Sequence, residues 1–199
     1  SVAAAAGHAA GNGWILLSDS SWPGYTESPA LVMEGYLAMA AEAADDLDSS
    51  GGAPSHIFLQ AGVGGLAAAV AAYARKRWGD GPLIIVVEPD VAPALMASIK
   101  AGRAVRADGP PSSMGRLDCK EPSLLALHAL ARDADRFVTI GEDEAAAALP
   151  VLAEHGLATT GSGGAGLAAL LAVDDAARGA LGLSKDSRVL AFVTEAPEA

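Results

Sequence analysis

A single cysteine, Cys119, in a chain of 199 residues leaves neither an internal disulfide nor a cysteine-built zinc cluster to consider. That economy points to a reducing compartment, with the cytoplasm as the default. Cations are scarce as well: 13 Lys and Arg stand against 24 Asp and Glu, for a net charge of −11. No basic stripe of the kind a phosphate backbone needs can form, so no nucleic-acid partner is expected. No apolar run approaches the ~18 residues of a membrane span. Residues 1–10 are apolar but lack the basic start of a signal peptide. Internal repeats and low-complexity linkers are missing too.

What is present is 51% hydrophobic and 19% charged, the composition of a globular chain of one to two domains. Residues 2–10 read as the end of a helix closed by Gly11-Asn12-Gly13. Residues 14–18 (Trp-Ile-Leu-Leu-Ser) read as a buried strand, followed by a polar and aromatic loop to Glu27. Ser28 and Pro29 pair an N-cap residue with a proline at the first helical position, which starts a helix running to about Asp48. Strands at 57–59 and 83–87 flank a helix over 66–78, a βαβ unit. Helices are predicted at 92–100 and 123–134, with an irregular stretch at 107–122 between them and a strand at 137–140 after them. Thr139 and Glu142 have capping-box spacing ahead of a helix over 143–155. A glycine- and threonine-rich loop at 156–164, a helix at 165–178 and a last strand at 189–194 complete the order. The strands are continuous apolar runs, each followed by a helix. That pattern predicts an α/β fold with a parallel sheet covered on both faces, a three-layer αβα sandwich. Ligands on such sheets sit beyond the carboxyl ends of the strands, so the informative loops are 19–27, 60–65, 88–93 and the segment after Val193.

Gln60-Ala-Gly-Val-Gly-Gly-Leu66 stands out among them. A strand that turns through glycines into a helix N-terminus cradles phosphate: the backbone comes close, amides converge and the helix dipole favours an anion. Two ligands fit this loop. Gly62-x-Gly64-x-x-Ala67 satisfies a relaxed dinucleotide fingerprint, and Glu88 ends the next strand 21 residues after Ala67, where a ribose-binding acid belongs. Against that stand Pro89 directly after Glu88 and a unit that begins only at residue 56. The other ligand is pyridoxal phosphate. Asp19 is the best acid–base candidate, one residue past an apolar run and beside Trp22 and Tyr25, whose rings could wall its carboxylate. His8, His56, His128 and His155 show no ligand spacing, and Cys119 has no matching histidine, so these read as surface or packing groups. Residues 114–119 fall where a substrate-closing segment would lie.

Ser18-Asp-Ser-Ser-Trp-Pro-Gly-Tyr25, Met33-Glu-Gly-Tyr36, Phe58-Leu-Gln-Ala-Gly-Val-Gly-Gly65, Val87-Glu-Pro89, Met114-Gly-Arg-Leu-Asp-Cys119, Glu121-Pro-Ser123 and Thr160-Gly-Ser-Gly163 occur in this order. Together they resemble the diaminopropionate ammonia-lyase family of fold-type-II pyridoxal phosphate enzymes, related to threonine dehydratase and tryptophan synthase β. The resemblance runs from about Asn12 to Thr194. It implies an α,β-elimination on 2,3-diaminopropionate that yields pyruvate and ammonia, with pyridoxal 5'-phosphate as electron sink. It also implies that the backbone of Gly62, Val63, Gly64 and Gly65, with Leu66 at the helix start, holds the cofactor phosphate. A hydroxyl opposite the pyridine nitrogen is implied too, with Ser162 and Thr194 as candidates, and Asp19 matches an active-site aspartate.

The lysine that forms the Schiff base in these enzymes has no match here. Lys76, Lys100, Lys120 and Lys185 all lack the motif, and the small cofactor-capping domain is not recognisable. Residues 1–199 therefore read as a portion of the large domain, with its phosphate loop at 60–66, expected to be inactive alone. A homodimer is implied for the intact enzyme. A nicotinamide-dependent oxidoreductase domain and a non-catalytic phosphate-ligand-binding module are the two other readings.

Overall fold

The computed structural model describes the backbone of residues 2–197 and the side chains of residues 4–197. The elements in chain order are α1 (Val2–Asn12), α2 (Glu27–Ser50), β1 (His56–Gln60), α3 (Gly65–Trp78), β2 (Leu83–Pro89), α4 (Ala94–Ala101), α5 (Leu124–Asp133), β3 (Arg136–Ile140), α6 (Glu142–Glu154), α7 (Gly161–Ala172), α8 (Asp175–Leu181) and β4 (Val189–Ala191). The four strands form one parallel sheet in the order β3-β2-β1-β4.

Strand side chains alternate between faces, and here both faces are dry. Ile57, Leu59, Ile84 and Val86 pack under α2, α3, α4 and α5. Phe58, Ile85 and Val87 pack under α6, α7 and α8. Continuous apolar runs are the result, and the predicted three-layer α/β sandwich is the observed architecture. The chain moves outward from β1 through β2 to β3, then crosses back to place β4 on the other side of β1. The direction of winding reverses between β1 and β4, so a crevice opens at their carboxyl ends.

Several boundaries differ from the sequence expectation. Residues 14–18 are not a buried strand: no strand of the described residues pairs with them, and Ile15 is 93% exposed. Their apolar character is real, but an extended segment becomes a strand only when a ladder partner takes its amides. Helix α2 begins at Glu27 behind Thr26, ahead of the Ser28-Pro29 pair, and runs on to Ser50. Helix α6 starts at Glu142, and the reciprocal bond at its start is Gly141 N–H to Glu144 Oε2 at 2.8 Å; Thr139 is not its cap. The predicted helix at 165–178 is two helices, because Asp174 caps a new one by accepting the Ala177 N–H at 2.7 Å. Its start also moves. Helix α7 begins at Gly161, capped by the Thr160 hydroxyl, so four of its first six residues are glycine. Their helix-breaking tendency is outweighed by packing that tolerates no side chain: a Cβ on Gly163 would fall 2.6 Å from Thr159 Oγ1.

Glu88 shows how tightly β2 is joined to α4. Its side chain is fully buried, with Oε1 accepting the Leu95 N–H and Oε2 the Met96 N–H, each at 2.7 Å. Burial pushes its carboxyl up to about 7, against the pull of the two amides. The folded state then holds a proton that the unfolded chain has released. This group's stabilising contribution is complete below about pH 4.5 and is lost as pH rises through about 7. Glu88→Gln removes the titration. Urea unfolding should show the variant gaining on the wild type by roughly 3 kcal/mol between pH 4.5 and 8. A constant difference across that range would refute the assignment.

Candidate active site

The bend between β1 and α3 leaves a row of backbone donors without acceptors. Gly64 is the N-cap of α3 with φ +98°, a left-handed conformation that suits glycine. Among the described residues, no backbone carbonyl accepts from the amides of Gly62, Gly64, Gly65, Leu66 or Ala67. These are the orphan N–H groups of a helix start, turned towards a crevice. Space forces glycine here as well. A Cβ on Gly62 would lie 2.8 Å from the Arg116 carbonyl oxygen and 2.9 Å from Cys119 Sγ, and one on Gly64 would lie 3.0 Å from Leu95 Cδ1. A convergent set of free amides at the positive end of a 14-residue helix suits a phosphate monoester.

A cavity of about 420 Å³ opens over this cradle. The structure brings all the sequence-predicted residues to its lining: Asp19, Gly62, Val63, Gly64, Gly65, Leu66, Ser162 and Thr194. Asp19 reaches it from the 19–27 loop and is exposed. Ser162 sits in the first turn of α7, not in a loop, and its Oγ accepts the Arg116 N–H at 3.2 Å. Thr194 follows β4, and its Oγ1 accepts from Gln60 Nε2 at 3.3 Å. The same amide nitrogen donates to the carbonyls of Phe192 at 2.8 Å and Gly163 at 3.0 Å. Gln60 thus braces the end of β4 and the start of α7 against β1.

The lining also contains groups that sequence reasoning did not assign to the site, among them Gln60, Tyr36, Arg116, Cys119 and Glu195. Glu195 accepts from the Thr160 hydroxyl, and its Oε1 lies 3.9 Å from Arg116 Nε. No spacing rule points to a carboxylate that the crossover from β3 to β4 delivers. Cys119 is an unreactive wall: burial pushes its thiol up, the charge of Asp19 adds to this, and the Val63 N–H works against both. The 114–119 segment is also no free lid. Met114 and Leu117 are buried, and Glu142 accepts from the hydroxyls of Ser112 and Ser113 just before it.

The aromatic pair has a different role from the one its position suggested. Trp22 and Tyr25 stack on each other, 4.3 Å apart at 15°, and Tyr25 Oη bonds to Leu16 and Ser18. Neither lines the cavity; they close their own loop. Glu88 cannot be the ribose acid of a dinucleotide site, since both its oxygens are taken by α4 amides in the core. That removes the main support for the nicotinamide reading. None of the four histidines or the four lysines lines the cavity. Lys120 is engaged elsewhere: its Nζ donates to the Val91 and Pro110 carbonyls and lies 2.6 Å from Asp118 Oδ1, a charge contact without hydrogen-bond alignment.

A parallel αβα sandwich with an amide cradle at its reversal point defines an α/β fold with a site suited to a phosphate-bearing ligand. The sequence pattern of the pyridoxal-phosphate dependent enzyme family matches residues 1–195, and the chain belongs to that family. Diaminopropionate ammonia-lyase of Escherichia coli K12 is 34% identical over 200 residues, covering 94% of this chain and 50% of that protein. L-threonine ammonia-lyase of Thermotoga maritima is 30% identical over 116 residues, 58% of this chain and 29% of that protein. The crystal structure of the Escherichia coli diaminopropionate ammonia-lyase in complex with an aminoacrylate-PLP azomethine reaction intermediate superimposes with a TM-score of 0.87 at 32% identity. That match covers 96% of this chain and 51% of the other. The present chain spans about half the length of the curated relatives that match most of it. Pyridoxal phosphate is the cofactor of the family, and the free amides and excluded Cβ positions of the 62–65 bend fit its phosphate.

Substitution at the bend tests this fit. Gly64→Ala forces a side chain into positive φ and against Leu95, and Gly62→Ala pushes into the Arg116 carbonyl. Each should weaken pyridoxal phosphate binding at least about tenfold, read by a fluorescence titration. Gly115→Ala, at a site with nothing within 4 Å, should leave it unchanged.

Proposed function

We propose that this chain is the large-domain portion, with its phosphate loop at 60–66, of a pyridoxal phosphate-dependent ammonia-lyase that converts 2,3-diaminopropionate to pyruvate and ammonia by α,β-elimination. The observation that carries the reading is the meeting of Asp19 with the amide cradle around one cavity. When bound, the cofactor supplies an electron sink for the charge left at the α-carbon.

The chain's own residues have distinct tasks in this proposal. Amides from Gly62 to Ala67 anchor the phosphate and fix the cofactor's position. Asp19, exposed at the cavity edge, takes the α-proton or holds the substrate ammonium through a charge-assisted bond. Thr194 is the favoured hydroxyl for the pyridine nitrogen: it is exposed at the carboxyl end of the sheet, whereas Ser162 is buried in α7. Gln60 holds Thr194 in place. A small-molecule amino-acid substrate, a cytoplasmic setting and a homodimeric intact enzyme complete the proposal. The last rests on the family resemblance; the exposed apolar side chains of Trp14, Ile15, Leu17 and Leu31 are surface that the remainder of such an enzyme would cover. No described helix is long and apolar enough to cross a membrane.

The non-catalytic binding module survives as a second reading because no lysine lines the cavity. One experiment addresses both. Pyridoxal phosphate added to the 199-residue chain should give saturable absorbance that dialyses away, borohydride should fix none of it at the cavity, and no pyruvate should form from diaminopropionate. Asp19→Asn should leave this cofactor binding within about twofold while weakening binding of the reduced phosphopyridoxyl conjugate of 2,3-diaminopropionate. Equal affinity of Asp19→Asn and wild type for that conjugate would favour the binding module. No cofactor binding at all would overturn both readings.

A further inference from the structure

Ser123 is the N-cap residue of α5, yet its hydroxyl caps nothing in its own helix. A serine 102 residues earlier does so instead. Ser21 Oγ accepts the Leu125 N–H at 2.8 Å, and the Ser21 carbonyl accepts the Leu124 N–H at 3.0 Å. In exchange, Ser123 Oγ accepts the Ser21 N–H at 3.0 Å, and the two hydroxyls share a bond of 2.7 Å. Both residues are buried, at 3% and 0% exposure. An N-cap serine normally bonds two or three residues ahead in its own helix. Here the two serines have exchanged roles.

The exchange ties together the parts of the cavity. Ser21 lies two residues beyond Asp19, whose carboxylate has no hydrogen-bond partner among the described residues, so the backbone of its loop sets the point from which it reaches. Ser123 N–H donates to the Val63 carbonyl at 3.0 Å, inside the phosphate bend. Ser123 also ends the segment that carries Arg116 and Cys119 into the lining. A short path therefore runs from the acid-bearing loop through Ser21 and Ser123 to the cradle. Every link in it is buried or part-buried and shorter than 3.1 Å. With no described strand holding residues 14–18, the loop is tied to the α/β body at this point by the two hydroxyls together with the Ser21 backbone, whose carbonyl accepts the Leu124 N–H.

We propose that the reciprocal Ser21–Ser123 cap is a positioning device that sets the reach of Asp19 relative to the phosphate cradle. The inference rests on the proposed function, since it assigns Asp19 a substrate-facing task. A helix cap alone would affect stability. A positioning pair must also couple to Asp19.

The probe is the reduced phosphopyridoxyl conjugate of 2,3-diaminopropionate, a stable secondary amine, titrated against free pyridoxal phosphate. Asp19→Asn and Ser21→Ala should each weaken conjugate binding about tenfold and leave pyridoxal phosphate binding within about twofold. The double variant should be no weaker than Asp19→Asn alone, the non-additivity of residues that act through one another. Ser21→Thr, which keeps the hydroxyl, should restore most of the affinity. Ser98→Ala, which removes another buried hydroxyl bonded to Val105, should change neither ligand. If Ser21→Ala does not fold, Ser21→Cys carries the same cycle with a weaker acceptor. Additive losses, or equal weakening of both ligands, overturn the positioning role and leave the cofactor assignment standing. A wild-type chain that binds neither ligand overturns both.

Discussion

Five amides at one glycine bend, unpaired among the described residues, constrain more of this molecule than any other feature. For them to converge on an anion, Gly64 must take positive φ and the chain on either side must come within side-chain distance of the bend. The Arg116 carbonyl and Cys119 sulfur fill the volume that a Cβ at Gly62 would need, and Leu95 and Ala126 fill the volume at Gly64. The irregular 107–123 segment and helices α4 and α5 are thus packed against the bend itself. This explains why a stretch without regular structure contains Met114 and Leu117 in the core.

Sheet order then supplies the second wall. β4 pairs with β1 only after the chain has wound outward to β3 and crossed back over α6, α7 and α8. The crossing delivers Thr194 and Glu195 to the carboxyl end of β1, opposite the amides. Gln60, the last residue of β1, secures the arrival by donating to both Phe192 and Gly163. Its other amide atom, Oε1, is buried against Gly166 without a partner, a cost that the brace outweighs.

Features that depend on local chemistry were legible in the sequence. The glycine bend, the parallel sheet and the helices over 65–78 and 124–133 follow from apolar runs and glycine spacing, and the eight predicted residues do share one cavity. Features decided by distant partners were not. Trp14 to Ser18 has strand composition but no ladder partner, and the glycines of α7 look like a loop until Thr159 and Glu195 are seen pressing on them. The stacking of Trp22 on Tyr25, the burial of Glu88 under α4 and the exchanged serine caps are all tertiary outcomes. No one-dimensional pattern encodes which hydroxyl caps which helix.

The cradle's chemistry also bears on the charges around it. Backbone amides and a helix dipole can hold an anion without a lysine or arginine beside it, and among the described residues Arg116 is the single cationic side chain in the lining. A cation placed at the cradle would stabilise the ionised form of every nearby carboxylate and would compete for them as an ion-pair partner. Neutral donors avoid that competition. Among the described residues Asp19 makes no salt bridge, and Glu195 is held by the Thr160 hydroxyl with Arg116 at 3.9 Å. Of the two carboxylates in the lining, Asp19 is therefore the one without a bonded partner among the described residues, whereas Glu195 is already engaged by Thr160 and Arg116. The acidic balance of the whole chain leaves few cations to spare, and a cradle built from backbone amides needs none.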